Sequence, residues 1–436
     1  MNAVFDGKAM NVGLERIKPM LRALRSRNYR LFFMGQGVSL VGTWMTQTAT
    51  IWLVYHLTGS PLMLGVVGFA NQFPNFVLTP FAGVWVDRWD RRRTIVITQV
   101  LAMIQSLALA FLALTGKADV WHIVALSALQ GGINAFDMPA RQSFVVKMVD
   151  QREDLSNAIA LNSSMFSSAR LIGPAIAGLL IAATNAGVCF LIDGVSYIAV
   201  IAGLLAMRLP AQDRSPTQTT HTLWRSLKEG FDYAFGFQPI RSILLLIALV
   251  SLVGMPYMTL APIFASEVLH GGPETLGFLM AASGLGALFA AVYLSSRPSA
   301  LGLSKLIAIA PAIFGIALII FALSRVLWLS LLAVLLVGMS LILQHTSGNT
   351  VLQTIVEDDK RGRVMSFYMM AFTSTVTFGN LLAGSLASHI GAPNTLLIGG
   401  VFCIAGSLLF TKQLPEMRRS MRVVYRQIGL LPQTDT

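Results

Sequence analysis

The chain has 436 residues, of which 55% are hydrophobic and only 12% are charged. Because soluble globular proteins carry about 25% charged residues, this composition excludes an ordinary soluble domain of this size. Uncharged stretches of roughly twenty residues recur along the chain, and each is long enough to cross a bilayer as a helix. Such long apolar runs also exclude a membrane β-barrel, whose strands are short and alternate in polarity.

Taken in chain order, the apolar stretches predict twelve transmembrane spans. They cover residues 31–57, 61–86, 94–115, 121–145, 158–183, 188–208, 242–265, 276–296, 304–323, 328–352, 364–389 and 394–412. The predicted fold class is therefore an all-α membrane protein.

The basic residues test the topology of these spans. With both termini in the cytoplasm, 28 of the 32 Lys and Arg residues lie on the cytoplasmic side. Only Lys117 and Arg325 lie outside, and Arg141 and Arg170 fall within spans. This asymmetry is the positive-inside pattern of a bacterial inner-membrane protein with both termini cytoplasmic. It also accounts for the net charge of +12 without a nucleic-acid partner.

The segments between spans divide the chain into two halves. Residues 1–30 form a basic tail, 31–208 a first six-helix half, 242–412 a second half and 413–436 a C-terminal tail. The connection 209–241 is polar at first and then amphipathic, which predicts a linker followed by a helix on the cytoplasmic surface.

The two halves repeat each other. Leu64-Gly65 aligns with Leu276-Gly277 at an offset of 212 residues, and Gly173 and Gly178 align with Gly379 and Gly384. Two parallel six-helix repeats are a recurrent transporter design, with the binding site between them near the midplane.

The most specific motif lies between spans two and three, where the sequence reads Gly-Val-Trp-Val-Asp-Arg-Trp-Asp-Arg-Arg-Arg. It resembles the signature of the major facilitator superfamily at Gly83, Asp87, Arg88, Arg91 and Arg92. It departs from that signature at Asp90, as do the macrolide-type drug exporters and the enterobactin exporter, the branch that the chain most resembles. The resemblance implies a charge latch that gates the cytoplasmic side, with Asp137 as its partner, preferentially through Arg91.

A second motif, in span five, contains Gly173, Pro174 and Gly178. It partly resembles the antiporter motif of the exporters in this superfamily. Gly-Pro frees backbone carbonyl groups and allows a helix to bend while closely packed. Ordinary packing by small residues is the alternative interpretation.

Charges within spans are costly and usually functional. Asp137 and Arg141 lie one helical turn apart, so they can pair with each other. Arg170 lies near the midplane, either facing the cavity or paired with Asp193 or Asp137. Asp193 itself is expected to be structural, because span six is peripheral in this fold. The full set of candidates for the substrate or proton path is Gln47, Asn71, Asp137, Arg141, Arg170, Tyr257, Gln344 and His345.

The resemblance implies a secondary transporter that exports an amphipathic small molecule, such as a drug or siderophore, by alternating access coupled to the proton gradient. An uptake symporter and a non-transporting membrane sensor remain alternatives. The sequence contains no phosphate-binding loop of an ATPase, no metal-ligating cluster and no nucleophile of an enzyme. The expectation is a monomer in the lipid bilayer with no cofactor.

The topology generates a first prediction. Cysteines introduced at Gly187 and Gly271 should react with a membrane-impermeant maleimide in intact cells, because both positions follow outward-running spans. If labelling requires permeabilised cells, the predicted orientation of the spans in the membrane is wrong.

Overall fold

In the computed structural model, the described residues are 21–208, 231–297, 299 and 301–427. Within them, the side chains of Gly83, Val84, Asp87, Arg88, Arg152 and Gln427 are excluded from the description. The long elements of this part are twelve helices. They are α1 (Arg27–Thr58), α2 (Pro61–Arg88), α3 (Arg91–Leu114), α4 (Val120–Met148), α5 (Leu155–Ala183), α6 (Ala186–Ala206), α7 (Gln238–Val268), α8 (Pro273–Ser295), α9 (Leu303–Leu323), α10 (Leu327–Ile355), α11 (Asp358–Ile390) and α12 (Ala392–Gln427).

Nine of these helices, in the described part, are long and apolar enough to cross a membrane. The other three, α1, α4 and α11, have 32, 29 and 33 residues and are long enough but more polar. In α1 and α4 the polar residues include Gln36, Ser39, Asn134 and Asp137, which line the central cavity described below. The predicted all-α membrane fold of twelve helices is confirmed.

Local chemistry ends one helix and starts the next within two residues. Gly59 ends α1 in the left-handed conformation (φ 57°), and its N–H donates to the Tyr55 carbonyl. The Ser60 hydroxyl then accepts from the Met63 N–H, and Pro61 begins α2. Glycine tolerates the positive φ, serine satisfies a free N–H group, and proline has no N–H to lose.

Helix α7 is irregular at its centre. Its regular part ends at Val253, a turn follows to Pro256, and the helix resumes as Tyr257–Ile263 with a π-helical turn at Phe264–Val268. Pro256 and Pro262 explain the interruption, since proline removes a backbone donor and clashes with the preceding turn. The break positions Tyr257 towards the middle of the molecule.

The predicted linker lies mostly outside the described residues. Its last part, residues 231–236, is helical. Phe231 contacts Phe367 of α11, and Lys360 of α11 lies over the Tyr233 ring at 4.5 Å. The linker therefore rejoins the bundle against the first turns of α11.

The last helix is longer than predicted. We expected the final span to end at residue 412, but α12 continues through Pro415 to Gln427. Met417, Met421 and Tyr425 on this extension are buried, and Arg418 donates to Ser304 of α9. The apolar face of the extension lies against the bundle, which stabilises it as helix.

The two six-helix halves meet along two helix pairs. Helix α2 of the first half packs on α11 of the second, and α5 packs on α8. We name the face where α1 begins and α12 ends the basic face, and the other the opposite face. Both helix pairs come into direct backbone contact in the part of each helix that lies nearer the opposite face.

Two reciprocal glycine contacts make this close approach possible. A Cβ atom on Gly65 would lie 3.0 Å from the Cα of Gly384, and one on Gly178 would lie 3.0 Å from the Cα of Gly277. In the sequence repeat, Gly65 is equivalent to Gly277, and Gly178 to Gly384. The two contacts are thus copies of each other, and together we call them the glycine seal.

The glycine seal generates a second prediction. A methyl group at position 178 would lie 2.6 Å from the Pro273 carbonyl oxygen, so Gly178→Ala should separate α5 from α8. Overpacking of this kind costs about 1–3 kcal/mol, enough to shift a two-state equilibrium by about 5–150-fold. Spin labels at Lys117 and Arg325 should report a longer distance across the opposite face, and Gly384→Ala should do the same through the second pair.

Gly132→Ala is the matched control, because a Cβ atom there meets only Leu78, at 3.8 Å. Identical distance distributions in Gly178→Ala, Gly384→Ala and the parent would show that the seal does not hold the halves together.

Candidate functional site

A cavity of about 1210 Å³ lies between the two halves and opens at the basic face. Its walls come from α1, α3, α4, α5, α6, α8, α9 and α10. Amide and hydroxyl groups dominate its polar lining: Gln36, Ser39, Thr43, Gln99, Gln130, Asn134, Gln142, Asn162, Ser163, Ser167, Tyr197, Ser295, Ser299, Thr346 and Thr350. Phe32, Phe166 and several aliphatic side chains complete the surface. Such a site suits an amphipathic organic molecule.

Towards the opposite face the halves are closed. The glycine seal joins the two helix pairs there, and the Tyr55 hydroxyl of α1 donates to the Glu267 carboxylate of α7. Deeper in the interface, Thr259 donates to Asn380 at 3.0 Å. The protein is therefore in a state that admits ligand from the basic face.

Asp137 is the carboxylate in the cavity wall, and four donors saturate it. Thr98 and Gln99 of α3 donate to Oδ1 at 2.8 and 2.9 Å, and Arg141 donates to Oδ2 from Nε at 3.1 Å and from a second nitrogen. In this state the basic partner of Asp137 is Arg141, and the predicted pairing with Arg91 stays a prediction. Arg141 lies one turn along the same helix, so the pair forms without ordering a loop.

The latch motif is only partly described. The side chains of Gly83, Asp87 and Arg88 lie outside the described residues. Arg92 donates to the Leu205 carbonyl at 2.8 Å, close to the end of α6. Asp90 accepts from the Arg93 N–H at 2.8 Å and so caps α3. This cap is a physical reason for aspartate at the position where the motif departs from the signature.

Arg170 lies one turn along α5 from the cavity-lining Phe166 and has no acid partner among the described residues. Its guanidinium lies over the Trp44 ring at 5.7 Å and beside the Tyr257 hydroxyl of the other half. Tyr257 in turn bonds Ser283 at 2.7 Å. The Nε of Arg170 is buried and has no hydrogen-bond partner. No ion pair of Arg170 is found among the described residues, and its cavity-facing role stays a prediction.

The remaining candidates are held by helix packing. Asn71 of α2 donates to the Ser127 carbonyl of α4 at 3.4 Å. His345 bonds Tyr368 at 3.0 Å and lies edge-on to Phe372. Gln344 is buried, and its amide nitrogen has no partner. Gln47 lies one turn beyond the cavity-lining Thr43 on the same face of α1.

The span-five motif makes two different contacts. A Cβ on Gly173 would lie 2.6 Å from the Trp44 Cβ, so this glycine brings α5 against α1. Gly178 belongs to the glycine seal, and the Pro174 carbonyl approaches Gly277. The motif therefore couples α5 both to its own half and to the other.

Sequence reasoning missed most of the cavity lining. Gln36, Gln130, Asn134 and Asn162 were not selected, although Asn134 lies one turn from Gln130 and near Asp137 on α4. Polar residues that recur every three or four positions in an apolar helix are the signal that could have identified this face.

The family of the protein follows from a comparison with known sequences. Residues 19–427 match the model of the transmembrane secretion effector family. The chain belongs to this family, a branch of the major facilitator superfamily. It is a transporter protein, not an enzyme.

Two relatives and one solved structure illustrate the similarity of this transporter to known proteins. It is 26% identical to the staphyloferrin A transporter of Staphylococcus aureus over 87% of its length and 95% of that protein. It is 23% identical to macrolide efflux protein A of Streptococcus pyogenes, again over 87% of its length and 95% of the relative. A bacterial homologue of the human lysosomal transporter Spinster, in an inward-facing conformation, matches with a TM-score of 0.68 at 14% identity, over 90% of this chain and 98% of that one. The last likeness shows the fold alone.

The Asp137–Arg141 pair generates a third prediction. Asp137→Asn leaves Arg141 without an acid in a partly buried position, so the free energy of unfolding should fall by about 1–3 kcal/mol. The double variant Asp137→Asn/Arg141→Gln should regain part of the loss, because no unpaired charge remains. Thermal unfolding of the purified protein measures both effects.

The exposed pair Lys360–Glu357 is the control, since surface ion pairs contribute little. Glu357→Gln should leave the unfolding temperature nearly unchanged. An Asp137→Asn variant as stable as the parent would show that the pair does not stabilise the fold.

Proposed function

We propose that this transporter exports an amphipathic small molecule from the cytoplasm by alternating access, driven by inward movement of protons. The observation that carries the proposal is the large cavity, lined by hydrogen-bonding groups, that is open at the basic face and closed at the opposite face by the glycine seal. We assign the basic face to the cytoplasm, because the topology predicted from the sequence puts 28 of the 32 basic residues on the side where the first span begins.

The lining favours a neutral or anionic substrate that is rich in oxygen atoms. Asp137 has no free acceptor direction for a cationic ligand, since four donors already occupy it. Arg297 in the lining and Arg170, one turn from the lining residue Phe166, add positive charge. Siderophores and macrolides, which the names of the two relatives specify, both carry many oxygen acceptors.

Closure of the cavity at the basic face is assigned to the latch. Asp87 and Arg88 end α2, and Arg91 and Arg92 begin α3. They lie at the end of the first half that must move when the cavity closes. A charge network there is formed in one state and broken in the other, which is how a small free-energy difference can bias a two-state transporter. The transporter acts as a monomer and needs no cofactor beyond the proton gradient.

The direction of transport rests on the span-five motif and on the efflux relative. The alternatives are an uptake symporter and a membrane sensor that binds without transporting. Membrane vesicles from cells that overexpress the transporter distinguish all three functions. They are prepared both everted and right-side-out, and staphyloferrin A and a macrolide serve as probes.

An exporter accumulates at least one probe in everted vesicles when the lumen is acidic, and a protonophore abolishes this accumulation. Accumulation only in right-side-out vesicles would identify an uptake symporter. Binding of a probe to the purified protein without flux in either orientation would favour the sensor.

Arg170 generates a fourth prediction. Arg170→Lys keeps the charge but loses the planar fork that lies between Trp44 and Tyr257. Loss of hydrogen bonds from a charged fork should weaken binding of the transported probe about 10–100-fold. Fluorescence or calorimetric titration of protein in nanodiscs measures the affinity.

Arg325→Lys, at the opposite face and away from the cavity, is the matched control and should bind normally. Equal affinity of Arg170→Lys and the parent would remove Arg170 from the binding site.

A further inference from the structure

Asp193 of α6 is the most deeply buried acid in the described part of the chain, with 1% of its surface exposed. Its side chain lies between α6, α1 and α3. Oδ2 accepts from the Thr46 hydroxyl at 2.9 Å and from the Ser106 hydroxyl at 3.0 Å. Oδ1 is buried and has no hydrogen-bond partner. Gly42 makes room for it, since a Cβ there would lie 2.6 Å from Oδ1.

Within the part of the chain that the structure describes, no cation forms an ion pair with this carboxyl group. The helix segments packed against it, 31–55 of α1 and 94–114 of α3, contain no Asp, Glu, Lys, Arg or His. Arg170 of α5 is engaged by Trp44 and Tyr257. The titratable group nearest along α6 is Tyr197, with the Asp137–Arg141 pair of α4 beyond it. An unpaired carboxylate at this depth is costly, so a proton on Asp193 removes a large energetic penalty.

The surroundings also accommodate the deprotonated form. The Ser106 hydroxyl has two acceptors within reach, the Asp193 carboxylate and the Phe190 carbonyl at 2.9 Å. A hydroxyl can rotate between such acceptors, so it can donate to the carboxylate when the proton leaves and to the carbonyl when it returns. The site therefore suits a group that changes its protonation state.

The second half shows that packing does not require an acid here. By the repeat that aligns Gly178 with Gly384, Asp193 corresponds to Gly399 of α12. A Cβ on Gly399 would lie 2.4 Å from the Val253 carbonyl oxygen, so α12 packs on α7 through a bare glycine. The acid is thus an addition to the first half rather than a shared element of the fold.

Asp193 lies close to the wall of the cavity. Tyr197 lies one turn further towards the basic face, about 6 Å along the helix, and lines the cavity. Thr43 of α1 also lines the cavity, and it lies three residues before Thr46, on the same side of the helix. The cavity wall therefore carries hydroxyl groups within about one helical turn of Asp193 and of its partner Thr46.

We propose that Asp193 is the proton-carrying group of the transport cycle. It binds a proton from the outer side when the cavity opens there. In the state described here it releases that proton to water in the cytoplasmic cavity and remains as a carboxylate held by Thr46 and Ser106. This inference rests on the proposed function and adds to it the residue that couples transport to protons.

Infrared spectroscopy of the purified, substrate-free protein in lipid tests the site directly. Protonated carboxyl groups have a C=O stretching band outside the amide region. In the parent protein one such band should disappear as the pH is raised. It should be missing from Asp193→Asn, which keeps the size and polarity of the side chain, and it should persist in Asp137→Asn.

Thr46→Val provides a second readout that does not remove the acid. Loss of one hydrogen bond to the carboxylate should move the disappearance of the band to higher pH by about one unit. Ser106→Ala should act in the same direction. If Asp193→Asn does not fold, these two variants are sufficient to test whether Asp193 is the group that titrates.

Identical titrating bands in the parent and in Asp193→Asn would overturn the proposal. So would an unchanged pH dependence in both hydroxyl variants. The spectra are recorded without substrate, so a negative result would count against Asp193 and not against export. If Asp193 titrates but the protein transports neither probe, the result counts against the proposed export alone.

In proteoliposomes, Asp193→Asn should still exchange a transported probe across the membrane at equal pH. It should no longer accumulate that probe against its gradient when a pH difference is imposed. Accumulation by Asp193→Asn at the parental level would also exclude Asp193 as the coupling group.

Discussion

Close contact between two pairs of glycines determines which side of this transporter is open. Where Gly65 meets Gly384 and Gly178 meets Gly277, the backbones of the two halves touch. Lipid provides no hydrophobic force between helices, so the van der Waals contact of such bare backbones supplies much of the attraction. The halves can therefore close at this end while the cavity stays open at the other. Because the two contacts are equivalent by the internal repeat, they close both helix pairs at the same depth.

The charges inside the bundle are stabilised in three different ways. Asp137 and Arg141 neutralise each other within one helix turn and are fixed further by two donors from α3. Arg170 lies against an aromatic ring and a tyrosine hydroxyl contributed by the two halves. Asp193 has only hydroxyl groups for partners. The first arrangement holds its charges firmly, whereas the second and third leave a charge or a proton that can respond to a ligand or to pH.

These arrangements suit a transporter for oxygen-rich molecules. A saturated carboxylate cannot attract a cation, and amide and hydroxyl groups supply both donors and acceptors along the cavity wall. The Arg170 guanidinium lies against groups of both halves, Trp44 of the first and Tyr257 of the second. Binding there can therefore influence the contact between the halves, which is the requirement for coupling substrate to the change of state.

The sequence by itself determined the class of the protein, the number of helices and the internal repeat. Hydrophobic length, the positions of basic residues and matching glycines are local properties, and the bilayer leaves few alternatives to a helix for an apolar run. It also identified Asp137, Arg141 and Arg170 as unusual charges. The partners of those charges were decided only by the tertiary structure. Asp137 bonds Arg141 and α3 rather than Arg91, and Asp193 lies against α1 and α3 rather than beside Arg170. Spacing along a helix indicates which residues share a face, but which helix that face meets depends on how twelve helices pack together.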